Sequence, residues 1–257
     1  MNAENLLLAQ NLVSQTYINQ GRDGIARRQN LIKSLLSNRR LPENGWDDAS
    51  IEMLLQDCSN MDSNNFVGNV GVGEREARVA SAMVATRHYR MAHGIGRSGD
   101  VAAEQPKAAG SSLLAKLCNL LTADALNTAG LHDLGGASVL PLATGMTVTM
   151  ALLALKQKRP AGARYVLWPR IKKTCIKAVV GAGLELVVIP NLLVGEQLET
   201  DVALVRTTID ELGADSILCV LSTTSCFAPR GPDKVIELVT SHPVSSPPAL
   251  PTTVPDM

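Results

Sequence analysis

Apolar positions in the first forty residues recur at helical spacing. Leu6, Leu7, Leu8 and the Leu12-Val13 pair predict one amphipathic helix. Ile25, Leu31-Ile32 and Leu35-Leu36 predict a second that ends before Pro42, because a residue preceding proline is driven out of the helical region. Two helices bury little by themselves, so this region is expected to pack on the rest of the chain or on another subunit. Pro42-Glu43-Asn44-Gly45 reads as a turn, and Asp47 or Asp48 is placed to cap a helix through Ile51, Met53, Leu54 and Leu55. From Met61 the chain is polar and Gly-rich as far as Gly73. A helix is predicted from Glu74 to Tyr89, then a second Gly-rich loop, then a helix from Ser111-Ser112 to Thr128. Beyond Ala137 short β-type runs alternate with helical stretches. Strands are predicted at Ala137–Leu142, Arg164–Trp168, Leu184–Ile189 and Ser216–Leu221. Helices are predicted at Met146–Lys156, Ile171–Gly181 and Val202–Leu212, the last opened by Thr200-Asp201. That alternation implies a parallel sheet covered on both faces, with ligands at the carboxyl ends of its strands.

Composition bounds this picture. The chain has 257 residues, the size of one large domain or two small ones, and 46% are apolar against 19% charged, so a wholly disordered protein is excluded. Twenty-four basic residues balance twenty-four acidic ones, so binding to a polyanion would need a local patch. Residues 1–40 offer one, with Arg22, Arg27, Arg28, Lys33, Arg39 and Arg40 against Glu4 and Asp23; they suit RNA phosphates or simply form a solvated helix face. With seven aromatic residues in all, recognition of bases by stacking is disfavoured. Cys58, Cys118, Cys175, Cys219 and Cys226 are odd in number and contain no C-x-x-C pair, which reads as a reducing compartment with no zinc site. The start lacks a basic n-region and an extended apolar run, so a cytoplasmic protein without a secretory signal is expected. Leu134 to Leu155 is free of charge, but Pro141 and Thr144-Gly145 divide it, so no membrane segment is expected. Residues 240–257 hold five of the thirteen prolines and are expected to form a disordered tail rich in Pro and Ser.

Three segments carry candidate chemistry. Gly94-Ile95-Gly96-Arg97-Ser98-Gly99 matches G-x-G-x-x-G, yet a dinucleotide site needs a strand immediately before it, and here a predicted helix precedes it. Two readings stay open. Glycines can let backbone N–H groups converge on a phosphate beside the Arg97 fork and the Ser98 hydroxyl, with Gln105 and Lys107 on the same polar stretch; or the segment is a solvated connection. Glu74-Arg75-Glu76 opens a predicted helix, where Arg75 can take a phosphate or carboxylate, or pair with its acidic neighbours. Ala143-Thr144-Gly145-Met146 joins a predicted strand to a helix N-terminus, either an anion cup or an ordinary turn. Cys226, within Ser222-Thr223-Thr224-Ser225-Cys226-Phe227-Ala228-Pro229, lacks a recognisable His partner among His88, His93, His132 and His242, and reads as structural.

In this order the segments resemble the O-phosphoseryl-tRNA(Sec) selenium transferase family, also called selenocysteine synthase or soluble liver antigen. The resemblance rests on Pro42-Glu43-Asn44-Gly45-Trp46, Met61-Asp62-Ser63-Asn64-Asn65-Phe66, Gly71-Val72-Gly73-Glu74-Arg75-Glu76, His93 to Asp100, Gln105 to Ser111, Ala143 to Met146, Trp168-Pro169-Arg170 and Ser222 to Arg230, and runs from Met1 to about Val239. It implies an α/β pyridoxal-phosphate-dependent transferase fold of the aspartate aminotransferase type, here an incomplete parallel-sheet large domain with an N-terminal helical extension. It also implies a cytoplasmic homotetramer that converts phosphoseryl-tRNA(Sec) to selenocysteinyl-tRNA(Sec) with selenophosphate and pyridoxal phosphate. By the same resemblance Arg97, Ser98 and Gln105 hold the substrate phosphate, Glu74 rejects a free α-carboxylate, Arg75 contacts the cofactor, and Ala143, Thr144 and Gly145 cup its phosphate. No metal is implied.

Two departures from the family pattern shape the expectation. Between Arg170 and Cys175 the family carries a longer segment with a polar residue near the cofactor ring, where this chain has Lys172-Lys173. The family also continues roughly as far again beyond Val239, with a ring-contacting Asn, the Schiff-base lysine and a tRNA-binding domain; no lysine here takes that lysine's place. The expected organisation is therefore an N-terminal helical oligomerisation region over 1–60, a partial cofactor-binding α/β domain over 61–239 with its phosphate loop at 94–107, and the tail over 240–257. A C-terminally truncated chain of this kind is expected to be inactive alone. The alternative is a non-catalytic isoform acting as an assembly or tRNA-binding module.

Overall fold

A computed structural model describes residues 1–68, 79–91, 103–132, 134–168, 173–222 and 229–240. The chain divides into two compact units, Met1–Val139 and Leu140–Met257.

The first unit is helical in its described residues. Helix α1 (Ala3–Ala9) is opened by Asn2, whose side-chain oxygen accepts the Asn5 N–H at 2.8 Å, and of its side chains only Leu6 is buried. Helix α2 (Gln15–Asn38) runs 24 residues and stops at Arg39, which is left-handed at φ 54°, three residues before Pro42. Asp47 caps α3 (Asp48–Asn60) by accepting the Ser50 N–H at 2.7 Å. Among its described residues the helix predicted over 74–89 is shorter than expected: α4 spans Ala82–Arg87. Ser81 is extended and turns its hydroxyl onto the Val84 N–H, so it starts a helix and does not continue one. Tyr89 and Arg90 then take positive φ. Helix α5 (Ala109–Thr128) packs against α3 through Gly110, where a Cβ would lie 1.7 Å from the Cys58 carbonyl oxygen.

The second unit contains the parallel sheet. Strands β1 (Tyr165–Trp168), β2 (Glu185–Val188) and β5 (Ile217–Val220) lie in the order β2-β1-β5, all parallel, with a register shift between Tyr165 and Val166 on the β5 side. Helices α6 (Thr144–Lys158) and α7 (Lys173–Gly181) cover one face, where Leu152, Val166, Val179, Leu184 and Leu218 form one core cluster. Helix α8 (Val202–Leu212), capped by Asp201, and α9 (Val235–Thr240) supply Val205, Ile209 and Leu238 to a second cluster with Leu167, Ile189 and Ile217. The alternation of buried β1 residues to opposite faces thus builds two cores from one strand.

Two expectations about strands are corrected. Residues 137–142 form no strand: the Val139 N–H donates to Asn119 Oδ1 at 2.7 Å, the Leu142 N–H turns back to Leu140 at 2.8 Å, and Pro141 has no N–H to give a ladder. Conversely, an unpredicted antiparallel hairpin, β3 (Asn191–Val194) and β4 (Gln197–Thr200), turns at Gly195 with φ 62°. Its far strand is tied to the segment after β5 by Leu198 N–H to Pro229 O at 2.8 Å and Gly231 N–H to Leu198 O at 3.0 Å. Buried Arg230 and Thr200 both hydrogen-bond Asp233 beneath that tie. Helix α9 reaches Thr240, the first residue of the expected tail; 241–257 lie outside the described residues, and no described helix is long and apolar enough to cross a membrane.

Candidate functional site

The described candidate residues fall in two places, one in each unit. In the second unit, Ala143 is the extended residue that opens α6, and Thr144 and Gly145 are its first two helical positions. No side chain caps this end and no acidic residue lies in its first turn, so the leading N–H groups and the positive end of the helix dipole face outward. The sequence predicts a strand before this turn; a loop stands there, and the helix start itself is present. Gly145 has a packing reason to be glycine, since a Cβ would sit 3.0 Å from the Thr174 methyl on α7.

That close approach creates a cleft of about 350 Å³ lined by Gly145, Met146, Thr149, Lys173, Thr174, Lys177 and Ala178. Lys173 and Lys177 are one turn apart on α7, which carries no acidic residue in its first turn, and both residues line the cleft. The combination of two cations and an uncapped helix start suits a phosphate or other oxyanion. In the sequence Lys173 stands out only as a departure from the family pattern, and Thr174 and Lys177 are not among its candidates. Their signal was the Lys-x-x-x-Lys spacing on a predicted helix.

In the first unit, Gln105 is 9% exposed and sits just ahead of α5. Its N–H donates to Ser112 Oγ at 2.9 Å and its side-chain amide to the Ala103 carbonyl at 3.3 Å. The Lys107 carbonyl accepts the Ser63 N–H at 2.8 Å, and Asp62 pairs with Ala108 in an isolated antiparallel bridge. Asp62 is fully buried; it accepts the Ser111 N–H at 3.0 Å on one carboxylate oxygen and the Ser111 hydroxyl on the other. Glu104 pairs with Lys116, and that hydrogen bond holds the Glu104 carboxyl below its ordinary value. The other sequence candidates, Glu74, Arg75, Arg97, Ser98 and Cys226, lie outside the described residues. Among the described residues no cluster of metal-ligating side chains occurs, and Cys58, Cys118, Cys175 and Cys219 are free thiols.

The parallel sheet between two layers of helices is that of an α/β protein with the pyridoxal-phosphate-dependent transferase fold. The solved crystal structure of an archaeal O-phosphoseryl-tRNA(Sec) selenium transferase matches it at TM-score 0.80 with 31% identity, over 89% of this chain and 52% of that one. The sequence model of that family, O-phosphoseryl-tRNA(Sec) selenium transferase, matches residues 61–241. The Dictyostelium discoideum enzyme of that name is 50% identical over 241 residues, 93% of this chain and 50% of the relative; that of Leishmania donovani is 34% identical over 93% of this chain and 55% of its own length. This chain belongs to the O-phosphoseryl-tRNA(Sec) selenium transferase family. It spans about half the length of the relatives it matches.

Proposed function

We propose that this chain supplies the cofactor-phosphate and substrate-phosphate side of an enzyme that converts O-phosphoseryl-tRNA(Sec) to selenocysteinyl-tRNA(Sec) with selenophosphate. Bound pyridoxal phosphate would supply the electron sink for loss of the seryl phosphate. The observation that carries the reading is the uncapped start of α6 at Ala143, Thr144 and Gly145, with Gly145 lining the same cleft as Lys173 and Lys177. These residues fit a phosphate monoester, and in this reading they hold the cofactor's phosphate while Arg75 contacts the cofactor. Gln105, with Arg97 and Ser98, holds the substrate phosphate, and Glu74 excludes a free α-carboxylate. Leu7, Leu8, Leu12 and Tyr17 are each 60% exposed or more, which supports subunit assembly through the N-terminal helices toward the tetramer, with the basic residues of that region near the tRNA. The cytoplasm is the proposed compartment.

We propose as a second reading a non-catalytic assembly or tRNA-binding module, which the exposed apolar residues of the N-terminal helices support. Titration of the purified chain tests both readings. Pyridoxal phosphate should bind at least ~10-fold tighter than pyridoxal, the worth of one or two charge-assisted hydrogen bonds, and inorganic phosphate should compete. Equal affinities would remove the α6 site. A borohydride-stable adduct, or conversion of phosphoseryl-tRNA by the chain alone, would overturn the second reading.

A further inference from the structure

We infer that Asp62 is a positioning residue for the Gln105–Ala108 segment, and that by occupying the start of α5 it leaves the substrate phosphate to that segment's side chains and not to the helix terminus. The second half of this inference rests on the reading of Gln105 as a phosphate ligand; the first half stands on geometry alone.

Ser111 is the third residue of α5, so its N–H is one of the leading donors with no partner inside the helix. Asp62 takes that donor and the Ser111 hydroxyl as well, from a site with no solvent exposure. A fully buried carboxylate is costly unless its oxygens are hydrogen-bonded, and here both are. The positive end of the α5 dipole is thereby met by a fixed negative charge, so a second anion arriving at the same place would be repelled. This is the opposite arrangement from α6, whose start carries no cap.

The same carboxylate closes a ring of bonds around the segment ahead of the helix. The backbone of Asp62 bridges to Ala108, the Ser63 N–H holds the Lys107 carbonyl, the Ala108 N–H returns to the Gln105 carbonyl at 3.0 Å, and Ser112 Oγ receives the Gln105 N–H. Gly110 lets this ring sit tight on α3, whose last turn leads directly into Asp62. Gln105 therefore hangs between Asp62-Ser63 on one side and Ser111-Ser112 on the other. Removing the Asp62 carboxylate leaves the half-buried Ser111 donors without their acceptor and frees the segment to move.

The experiment uses the full chain with its α6 site filled by saturating pyridoxal phosphate, and two readouts, amide hydrogen exchange of residues 103–108 and binding of added inorganic phosphate followed by ³¹P NMR. Losing the buried acceptor in Asp62→Ala should speed exchange at Gln105 and Ala108 at least ~10-fold and weaken phosphate binding by a similar factor, with the urea midpoint of the second unit unmoved. Asp62→Asn, which keeps an acceptor for the Ser111 N–H, should restore exchange to within ~3-fold of the parent. Should Asp62→Ala fail to fold, Ser112→Ala removes only the acceptor of the Gln105 N–H and should speed exchange there alone. Unchanged exchange in Asp62→Ala and Ser112→Ala would overturn the positioning role. Phosphate affinity that drops in Gln105→Ala but not in Asp62→Ala, while exchange is faster, would overturn its functional half. Phosphate affinity untouched by Gln105→Ala would instead refute the reading of Gln105, leaving exchange to decide the position of Asp62.

Discussion

Burial pushes the Cys219 thiol from its ordinary value of 9.0 up to about 11, with Arg159 opposing the shift, and burial likewise raises Cys58. The native state therefore favours the neutral thiol of Cys219 more than the unfolded chain does. The resulting stability is fully present below pH 9 and is lost as pH rises through 11. Urea midpoints measured from pH 8 to 11 should fall with rising pH, and Cys219→Ala should flatten that fall. A second consequence is read by alkylation at pH 8 and mass mapping: exposed Cys118 should label, whereas Cys58, 1% exposed, and Cys219 should not. At this level the amino-acid sequence already told much. Asp47 or Asp48, and the Thr200-Asp201 pair, are legible as caps because a short oxygen acceptor precedes an apolar helical run; in the structure Asp47 and Asp201 do the capping, each accepting from the third residue onward. The partner of Asp62 was hidden, because Ser111 lies 49 residues away in the chain and only the meeting of α3 and α5 brings the two together.

Gly110 shows how two helices depend on one missing side chain. A methyl group there would be driven into the Cys58 carbonyl, whose backbone has no room to retreat within α3. Gly110→Ala should cost at least ~3 kcal/mol in the first unit's urea transition, above the usual cost of overpacking because the clash is with backbone, while the control Gly21→Ala, where nothing lies within 4 Å, should leave it unchanged or raise it. Equal effects of the two would show that α3 and α5 do not pack this closely in solution. Elements with strong periodic signal, such as α8 and β1, fell where the pattern placed them. The segment 137–142 did not, because its apolar residues mimic a strand whereas Pro141 and the local bonds of Val139 and Leu142 consume the donors a strand would need. The β3–β4 hairpin was passed over for the converse reason: Leu192, Leu193 and Val194 are more exposed than a core strand would be, and its pairing is set by the turn at Gly195.

Both apolar clusters of the sheet draw only on residues between Val148 and Leu238, so the second unit carries its own core. A fragment of residues 140–240 should give a cooperative urea transition with a slope of about 1 kcal/mol/M, as expected of a domain of that size. A gradual transition with strong dye binding would show that the first unit is needed to complete it. Family and fold class were legible along the chain because long collinear motifs and alternating β and α periods are local properties, carried by neighbours in sequence. The site was legible only in part. Ala143-Thr144-Gly145 could be placed by its residue types, whereas the lysines that share a cleft with Gly145 and the buried carboxylate behind Gln105 became visible only in three dimensions. Helix periodicity says which residues share a face, but which face meets which is decided by packing. At Gly145 against Thr174 and at Gly110 against Cys58, close backbone approach settled what the linear pattern left open.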